Sequence, residues 1–402
     1  MLDDDDGGGN GGAMVIGKYA NNFGVAWQER DETEYISVGE LGKGSYGKVE
    51  KVILSADRID YFRGKNKRLR EFARKVFTGS FNEVIESASR EVHNLMALRD
   101  NGICNATVAC YLQHFVGRQS QRFFVVTEFV DGQTMYAISK ENQKRNLRTP
   151  PDQFRMLLAS AMGGLVYMHA HNVAHRDIHR PNLMVVNYGK FDAHIVFLDF
   201  GIACVGVDEC RAQPLQIPEH MSPEMLRAEI DSKKLSMPEY KASDVWFLAL
   251  SFFLLNRTRP LFVLNTPTTA PSGTDVLLAE RDAENKRRQK ASQAEIQAAI
   301  AKIIDLKRQQ RKAQIDARRD LLHQQLSLLQ KDASGRSKFA DNQLLPQATE
   351  DPYAGHVLEQ MLALDWHRRI LPQVAKKYFE KYSLVTSPAP PASTKKASFV
   401  FP

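Results

Sequence analysis

His175-Arg176-Asp177-Ile178-His179-Arg180-Pro181-Asn182 is the stretch on which the reading of this chain turns. Asp177 and Asn182 are followed by the apolar pair Leu183-Met184. Asp199-Phe200-Gly201 then closes the β-rich run His194-Ile195-Val196-Phe197-Leu198. Three acidic or amide side chains thus stand on loops flanking short strands. Phosphoryl transfer needs that set: one carboxylate to orient a hydroxyl, and an amide with a second carboxylate to hold magnesium.

Taken together these motifs resemble the eukaryotic-type protein kinase family, of the serine/threonine type, and the resemblance extends in both directions. It implies an α+β bilobal fold, with a β-rich N-lobe and a mainly helical C-lobe. It also implies ATP and Mg2+ as cofactors and protein substrates as partners. Upstream, Gly42, Gly44, Gly47 and Val49 lie in a strand-like run, where glycines give unhindered backbone amides to phosphates. A plain glycine-bearing hairpin accounts for that run equally well. Phe72-Ala73-Arg74-Lys75-Val76-Phe77 alternates like a strand and carries Lys75, which by resemblance holds the α- and β-phosphates. A lysine inside an apolar strand needs a partner to offset its desolvation. Glu91, on a helix running from Asn82 through Leu98, fits the family's spacing better than Glu83 or Glu86.

The run Phe123 to Val130 resembles the hinge between lobes. Thr127 would then guard the back of the nucleotide pocket, and the backbone of Glu128 and Val130 would meet adenine. Ala73 and Met184 complete the pocket that the family implies. In the pivot itself the resemblance makes Asp177 the catalytic residue, with Asn182 and Asp199 as metal ligands and His175 as packing behind Asp199 and Phe200. Ser222-Pro223-Glu224, Asp244 and Arg369 match further landmarks: Asp244 would anchor the catalytic loop and Arg369 would pair with Glu224. An apolar helix is expected from Asp244-Val245-Trp246 through Leu255, and another from Pro151 to Ala170.

Two positions depart from the family. His179 stands where serine/threonine kinases carry a lysine that steadies the transferring phosphate. Its ordinary pKa of about 6.5 leaves it mostly neutral at pH 7, so either the phosphate raises that value or Arg180 substitutes. Ile217 replaces a usual threonine. Residues 202–221 hold no Ser, Thr or Tyr. Asp208 or Glu209 would supply a permanent negative charge to Arg176, making the enzyme independent of activation-segment phosphorylation; two solvated acids is the plain alternative.

Composition sets the bounds. The chain has 402 residues, 43% hydrophobic and 25% charged, with a net charge of +7. That is a globular composition with enough apolar mass for a core. The charge suits acidic partners without requiring nucleic acid. No run reaches the roughly 18 apolar residues of a membrane helix. Four cysteines make no secreted disulfide framework, so reduced thiols and a cytoplasmic setting are expected. His169, His171, His175 and His179 lack the cysteine or acidic partners of a zinc site.

The expected organisation is a disordered acidic and Gly-rich tail at 1–33, the N-lobe at 34–131 and the first part of the C-lobe at 132–264. A charged helical insert follows at 265–345, the last C-lobe helices at 346–385 and a disordered tail at 386–402. A linker at 265–273 precedes the insert's helices. Ser292-Gln293-Ala294-Glu295 is a capping-box pattern that splits the insert into two helices, the second reaching about Lys331. A helical hairpin that docks a protein partner through residues 274–332 is the main reading, with self-association the lesser one. A pseudokinase scaffold binding through this insert is the alternative to an active enzyme, and a small-molecule kinase of related fold is a third.

Overall fold

The computed structural model describes residues 18–44, 47–55, 71–100, 103–206, 210, 220–256, 273–288, 292–329 and 351–383. The basic stretch Arg58 to Arg70, residues 265–272 of the expected linker, Asp208, Glu209, Ile217 and the tail at 386–402 lie outside the described residues, and Gly273 already opens a helix. The chain divides into two units.

The first unit comprises Met1–Ala212, Ser236–Arg259 and Leu345–Pro402. It begins with strands β1 (Glu29–Arg30), β2 (Tyr35–Gly44), β3 (Gly47–Leu54) and β4 (Glu71–Phe77), then helix α1 (Phe81–Ala97). The short strands β5 (Arg99–Asp100) and β6 (Ile103–Cys104) lead to β7 (Tyr111–Gly117) and β8 (Phe123–Glu128). Six of these form one sheet in the order β1-β7-β8-β4-β3-β2. Apolar residues alternate along β3 and β4, so one face buries Val52, Leu54, Phe72 and Val76 with Tyr35, Phe115, Phe124 and Val126. Period-two patterning has this effect, because successive side chains point to opposite faces.

Helices dominate beyond β8. After β9 (Gln133–Thr134) come α2 (Met135–Lys144) and α3 (Pro151–Ala170), which spans the residues the sequence indicated. Pro151 opens α3, where its missing N–H would have no helical acceptor. The chain then passes β10 (Val173–Ala174), β11 (Leu183–Val186), β12 (His194–Phe197) and β13 (Cys204–Val205). β11 lies between β12 and β9, and β10 pairs with β13. Downstream within this unit, α5 (Met237–Phe253), α8 (Pro352–Met361) and α9 (Pro372–Ser383) complete the helical part. Helix α5 begins well before Asp244, contrary to the sequence expectation. A capping box between Ser236 and Glu239 and a proline in the first turn start it there.

The second unit comprises Gln213–Leu235 and Pro260–Leu344, with helices α4 (Pro223–Ile230), α6 (Gly273–Arg288) and α7 (Gln293–Leu329). The Ser292–Glu295 capping box forms: the Ser292 amide and hydroxyl both donate to Glu295 Oε2, at 2.9 and 2.6 Å. The 37 residues of α7 span about 55 Å at 1.5 Å per residue. α6 and α7 pack together, with Lys307 Nζ 2.7 Å from Glu280 Oε1. α4 lies against α7, where Arg318 Nη2 donates to Glu229 Oε2 at 2.9 Å.

Two expectations are corrected. Residues 18–33 are not a tail. They make defined contacts with the N-terminal sheet, and Trp27 is buried. The acid and glycine run that suggested disorder ends before them, and the aromatics Tyr19, Phe23 and Trp27 bring enough apolar surface to hold the segment in place. The cysteines are not reduced thiols either: Cys104 pairs with Cys110, and Cys204 with Cys210. The chain brings their Cα atoms to 5.4 and 5.2 Å, within bridging reach. The cytoplasmic expectation thereby loses the support it drew from free thiols. Among the described residues no helix is long and apolar enough to cross a membrane.

Candidate active site

Register places the upper wall of the site. Val49 faces Lys75 across the β3–β4 ladder, and Ala73 faces Thr127 across the β4–β8 ladder. Gly42 pairs with Val49 and Gly44 with Gly47 at the end of the β2–β3 hairpin. Gly47 cannot carry a side chain, because a Cβ there would meet the Val76 carbonyl oxygen at 2.0 Å. At the end of β8 the Glu128 amide donates to the Cys110 carbonyl at 2.9 Å, and the Cys110 amide donates to the Glu128 carboxylate at 3.1 Å. Burial pushes the Glu128 carboxyl above its ordinary value, against that amide bond. Val130 and Met184 are half-buried.

Lys75 Nζ lies 2.6 Å from Glu91 Oε2 and 3.0 Å from Asp199 Oδ1. The structure therefore joins Glu91, and neither Glu83 nor Glu86, to the lysine. Burial disfavours the lysine's charge, but the two carboxylates outweigh it and hold its pKa above the ordinary value. For Glu91, burial pushes the carboxyl up, to about 7, with Lys75 opposing and Asp199 adding to the rise. Desolvation also opposes the Asp199 charge. Lys75 and the Gly201 amide, which donates to Oδ1 at 3.2 Å, prevail and bring its pKa below the ordinary 3.8. The Asp199 side chain remains 45% accessible. Its backbone φ of 59° lies in the left-handed region, where non-glycine residues are strained and functional sites are over-represented.

The loop from His175 to Asn182 is held by a buried carboxylate. Asp244 accepts from the His175 amide at 2.9 Å and the Arg176 amide at 2.8 Å, and His169 Nε2 is 3.1 Å away. Arg176 has a φ of 66°, so the two amide bonds hold a strained turn. His175 is fully buried, 4.7 Å ring to ring from Phe200. Its Nε2 faces the Leu198 carbonyl at 3.0 Å, which fixes the proton there. Nδ1 is then the acceptor for the Asp177 amide at 3.3 Å.

Asn182 Nδ2 donates to the Asp177 carbonyl at 3.0 Å and to Asp177 Oδ2 at 3.1 Å, which leaves its amide oxygen directed elsewhere. His179 Nε2 stands 3.4 Å from Asp177 Oδ2. Burial raises the Asp177 pKa, but the bond and charge of His179, with His175, bring it below the ordinary value.

Arg180 reaches toward neighbours remote in sequence. Its guanidinium donates to Ser139 Oγ at 2.8 Å and the Leu254 carbonyl at 3.1 Å, and lies over the Tyr136 ring. Those neighbours come from α2 and the end of α5, a placement that spacing along the chain does not reveal.

Asn94 escaped the sequence reading. Its Nδ2 donates to the carbonyls of Phe200 and Ala203, both at 2.8 Å, tying α1 to the segment after Asp199. The available signal was a polar residue in a helix stripe of Val84, Ala88, Leu95 and Leu98, one turn beyond Glu91.

A β-sheet bearing Lys75, a helix bearing Glu91, and paired loops bearing Asp177, Asn182 and Asp199 define the architecture of a protein kinase. The chain belongs to the protein kinase domain family, whose model matches residues 35–377. It is 27% identical to the serine/threonine-protein kinase SSN3 of Phaeosphaeria nodorum, over 42% of this chain and 35% of that protein. It is 27% identical to the mitogen-activated protein kinase pmk-3 of Caenorhabditis elegans, over 61% and 48% respectively. For the serine/threonine-protein kinase 10 of Xenopus tropicalis the identity is 26%, over 56% and 21%. The chain thus spans less than half the length of each of these relatives.

Proposed function

We propose that this chain is an active protein kinase that transfers the γ-phosphoryl group of ATP to serine or threonine hydroxyls of protein substrates. The observation that carries the reading is Lys75 Nζ lying within 3.0 Å of both Glu91 and Asp199, with Asp199 open to solvent. An inert scaffold has no need to hold a buried lysine between two carboxylates, since such charges are costly to desolvate.

Asp199 and the amide oxygen of Asn182 would hold the metal. Asp199 Oδ1 is engaged by Lys75 and Gly201, and Asn182 uses its nitrogen on Asp177, so one oxygen of each suits a hard cation. When bound, magnesium-ATP supplies the phosphoryl group and neutralises charge on its oxygens. Lys75 orients the α- and β-phosphates, and the β2–β3 hairpin covers them. Asp177, ionised at neutral pH, orients the acceptor hydroxyl and takes its proton late, because the transition state is loose and asks little of the base. His179, beside Asp177, takes the place of the usual lysine and meets the transferring phosphate. The insert, residues 274–332, docks a protein partner. Activity without activation-segment phosphorylation follows if Asp208 or Glu209 supplies charge to Arg176.

Purified chain incubated with labelled ATP, magnesium and generic protein substrates tests the reading, with Asp177→Ala and Asp199→Ala as controls. Turnover in the parent chain that both substitutions abolish supports it. Magnesium-dependent ATP binding with no turnover would leave the scaffold, and phosphorylation of small molecules alone would give the third alternative.

A further inference from the structure

We propose that residues 18–30 form a brace that holds α1 where Glu91 meets Lys75, with Trp27 as its positioning residue. The proposal rests on the kinase reading only for its effect on turnover.

The segment shapes itself. Asn21 Oδ1 accepts from the amides of Phe23 and Val25, both at 3.1 Å, and its Nδ2 donates to the Val25 carbonyl at 2.7 Å. One side of the segment is fixed to the sheet. β1 runs parallel to β7, the Val116 amide donates to the Gln28 carbonyl at 2.9 Å, and the Arg118 amide donates to the Arg30 carbonyl at 2.8 Å. The other side is fixed to the helix. The Trp27 indole N–H donates to Ser89 Oγ at 2.8 Å, and the Asn22 amide donates to Glu86 Oε1 at 3.2 Å. The Phe23 ring lies 5.4 Å from the Arg90 guanidinium and 5.8 Å from the His93 ring.

Trp27 joins the two sides. It is 7% exposed, with its ring edge-on to Phe123 and His114 of the sheet, both at 4.7 Å, while its nitrogen holds the helix. Ser89 and Glu91 are two residues apart, about 200° around a helix with 3.6 residues per turn. The brace therefore grips the back of α1 while the Lys75–Glu91 pair grips its front. A helix tied at the front alone is free to swing outward, and a population in which Glu91 is withdrawn lowers the competent fraction and the rate together.

The test uses the full chain carrying Trp27→Ala, Trp27→Phe or Ser89→Ala, read by hydrogen exchange and by steady-state kinetics. For Trp27→Ala, amides of α1 exchange about tenfold faster while those of α3 keep their protection. kcat falls about tenfold with KM for the protein substrate unchanged. Trp27→Phe keeps the ring without the donor and falls between parent and alanine variant. If Trp27→Ala does not fold, Ser89→Ala must shift both readouts in the same direction. A folded Trp27→Ala variant with parental α1 exchange and parental kcat overturns the brace, as does equal acceleration of exchange in α3. Where the parent chain itself shows no turnover, the kinase reading fails and α1 exchange alone decides the brace.

Discussion

Replacing Asp244 with alanine removes the carboxylate that organises the loop from His175 to Asn182. The parent side chain is fully buried and accepts from two backbone amides, at 2.9 and 2.8 Å, with His169 Nε2 at 3.1 Å. Hydrogen bonds to a charged group contribute about 1.5–3 kcal/mol each, and a buried N–H left without an acceptor costs about 1–3 kcal/mol. Two amides are orphaned, so Asp244→Ala should destabilise the chain by about 3–5 kcal/mol. At about 2–4 °C per kcal/mol for a large domain, the melting temperature falls by at least about 6 °C. Asp244→Asn keeps one acceptor oxygen and should lose about half as much. Calorimetry reads the shift, and hydrogen exchange reads its place, with the His175 and Arg176 amides losing protection first. Activity should fall further than stability accounts for, because Asp177 follows those two residues. A melting temperature within about 2 °C of the parent, with full activity, would refute the reasoning.

Three other outcomes are expected. Arg180→Ala loses its bonds to Ser139 and Leu254, so it should cost about 1–3 kcal/mol in a denaturant titration while lowering kcat less than His179→Ala does. Gly164→Ala puts a Cβ 2.5 Å from the Phe197 ring and should cost about 1–3 kcal/mol. Gly163→Ala meets nothing within 4 Å and should instead stabilise α3 by up to about 1 kcal/mol, so thermal melts of the pair separate packing from propensity. Asp177 has a folded pKa below its ordinary 3.8. Its contribution to stability is therefore present above that value and lost as pH falls through the folded one. The stability difference between the parent and Asp177→Asn, measured in urea, should shrink as the pH falls below about 4.

Much of the fold was legible because its signals are local. Alternation along Phe72 to Phe77 and the continuous apolar run from Phe123 to Val126 give strands, and the Ser292–Glu295 pattern gives the start of α7. Lys75, Glu91 and Asp199 could be picked out by motif and spacing, and the tertiary structure brings them together. Other features were out of reach because they depend on contacts remote in sequence. Arg180 sits in a charged octet that looks catalytic, yet Ser139 and Leu254 claim its guanidinium. Trp27 follows a glycine-rich run, and only the surfaces of β7, β8 and α1 together give its ring a place. The cysteine pairs were misjudged because four cysteines in a chain of this length make no dense framework, whereas the fold brings the Cα atoms of each pair to 5.4 and 5.2 Å.

The union of α4 with the inserted hairpin changes how a shortened chain must be engineered. Cutting out 274–332 also withdraws Arg318 from Glu229 and bares the surface that α4 presents to α7. A trimmed variant should therefore carry Glu229→Gln, which removes the charge that Arg318 no longer meets. Otherwise poor solubility would masquerade as the loss of a docking platform.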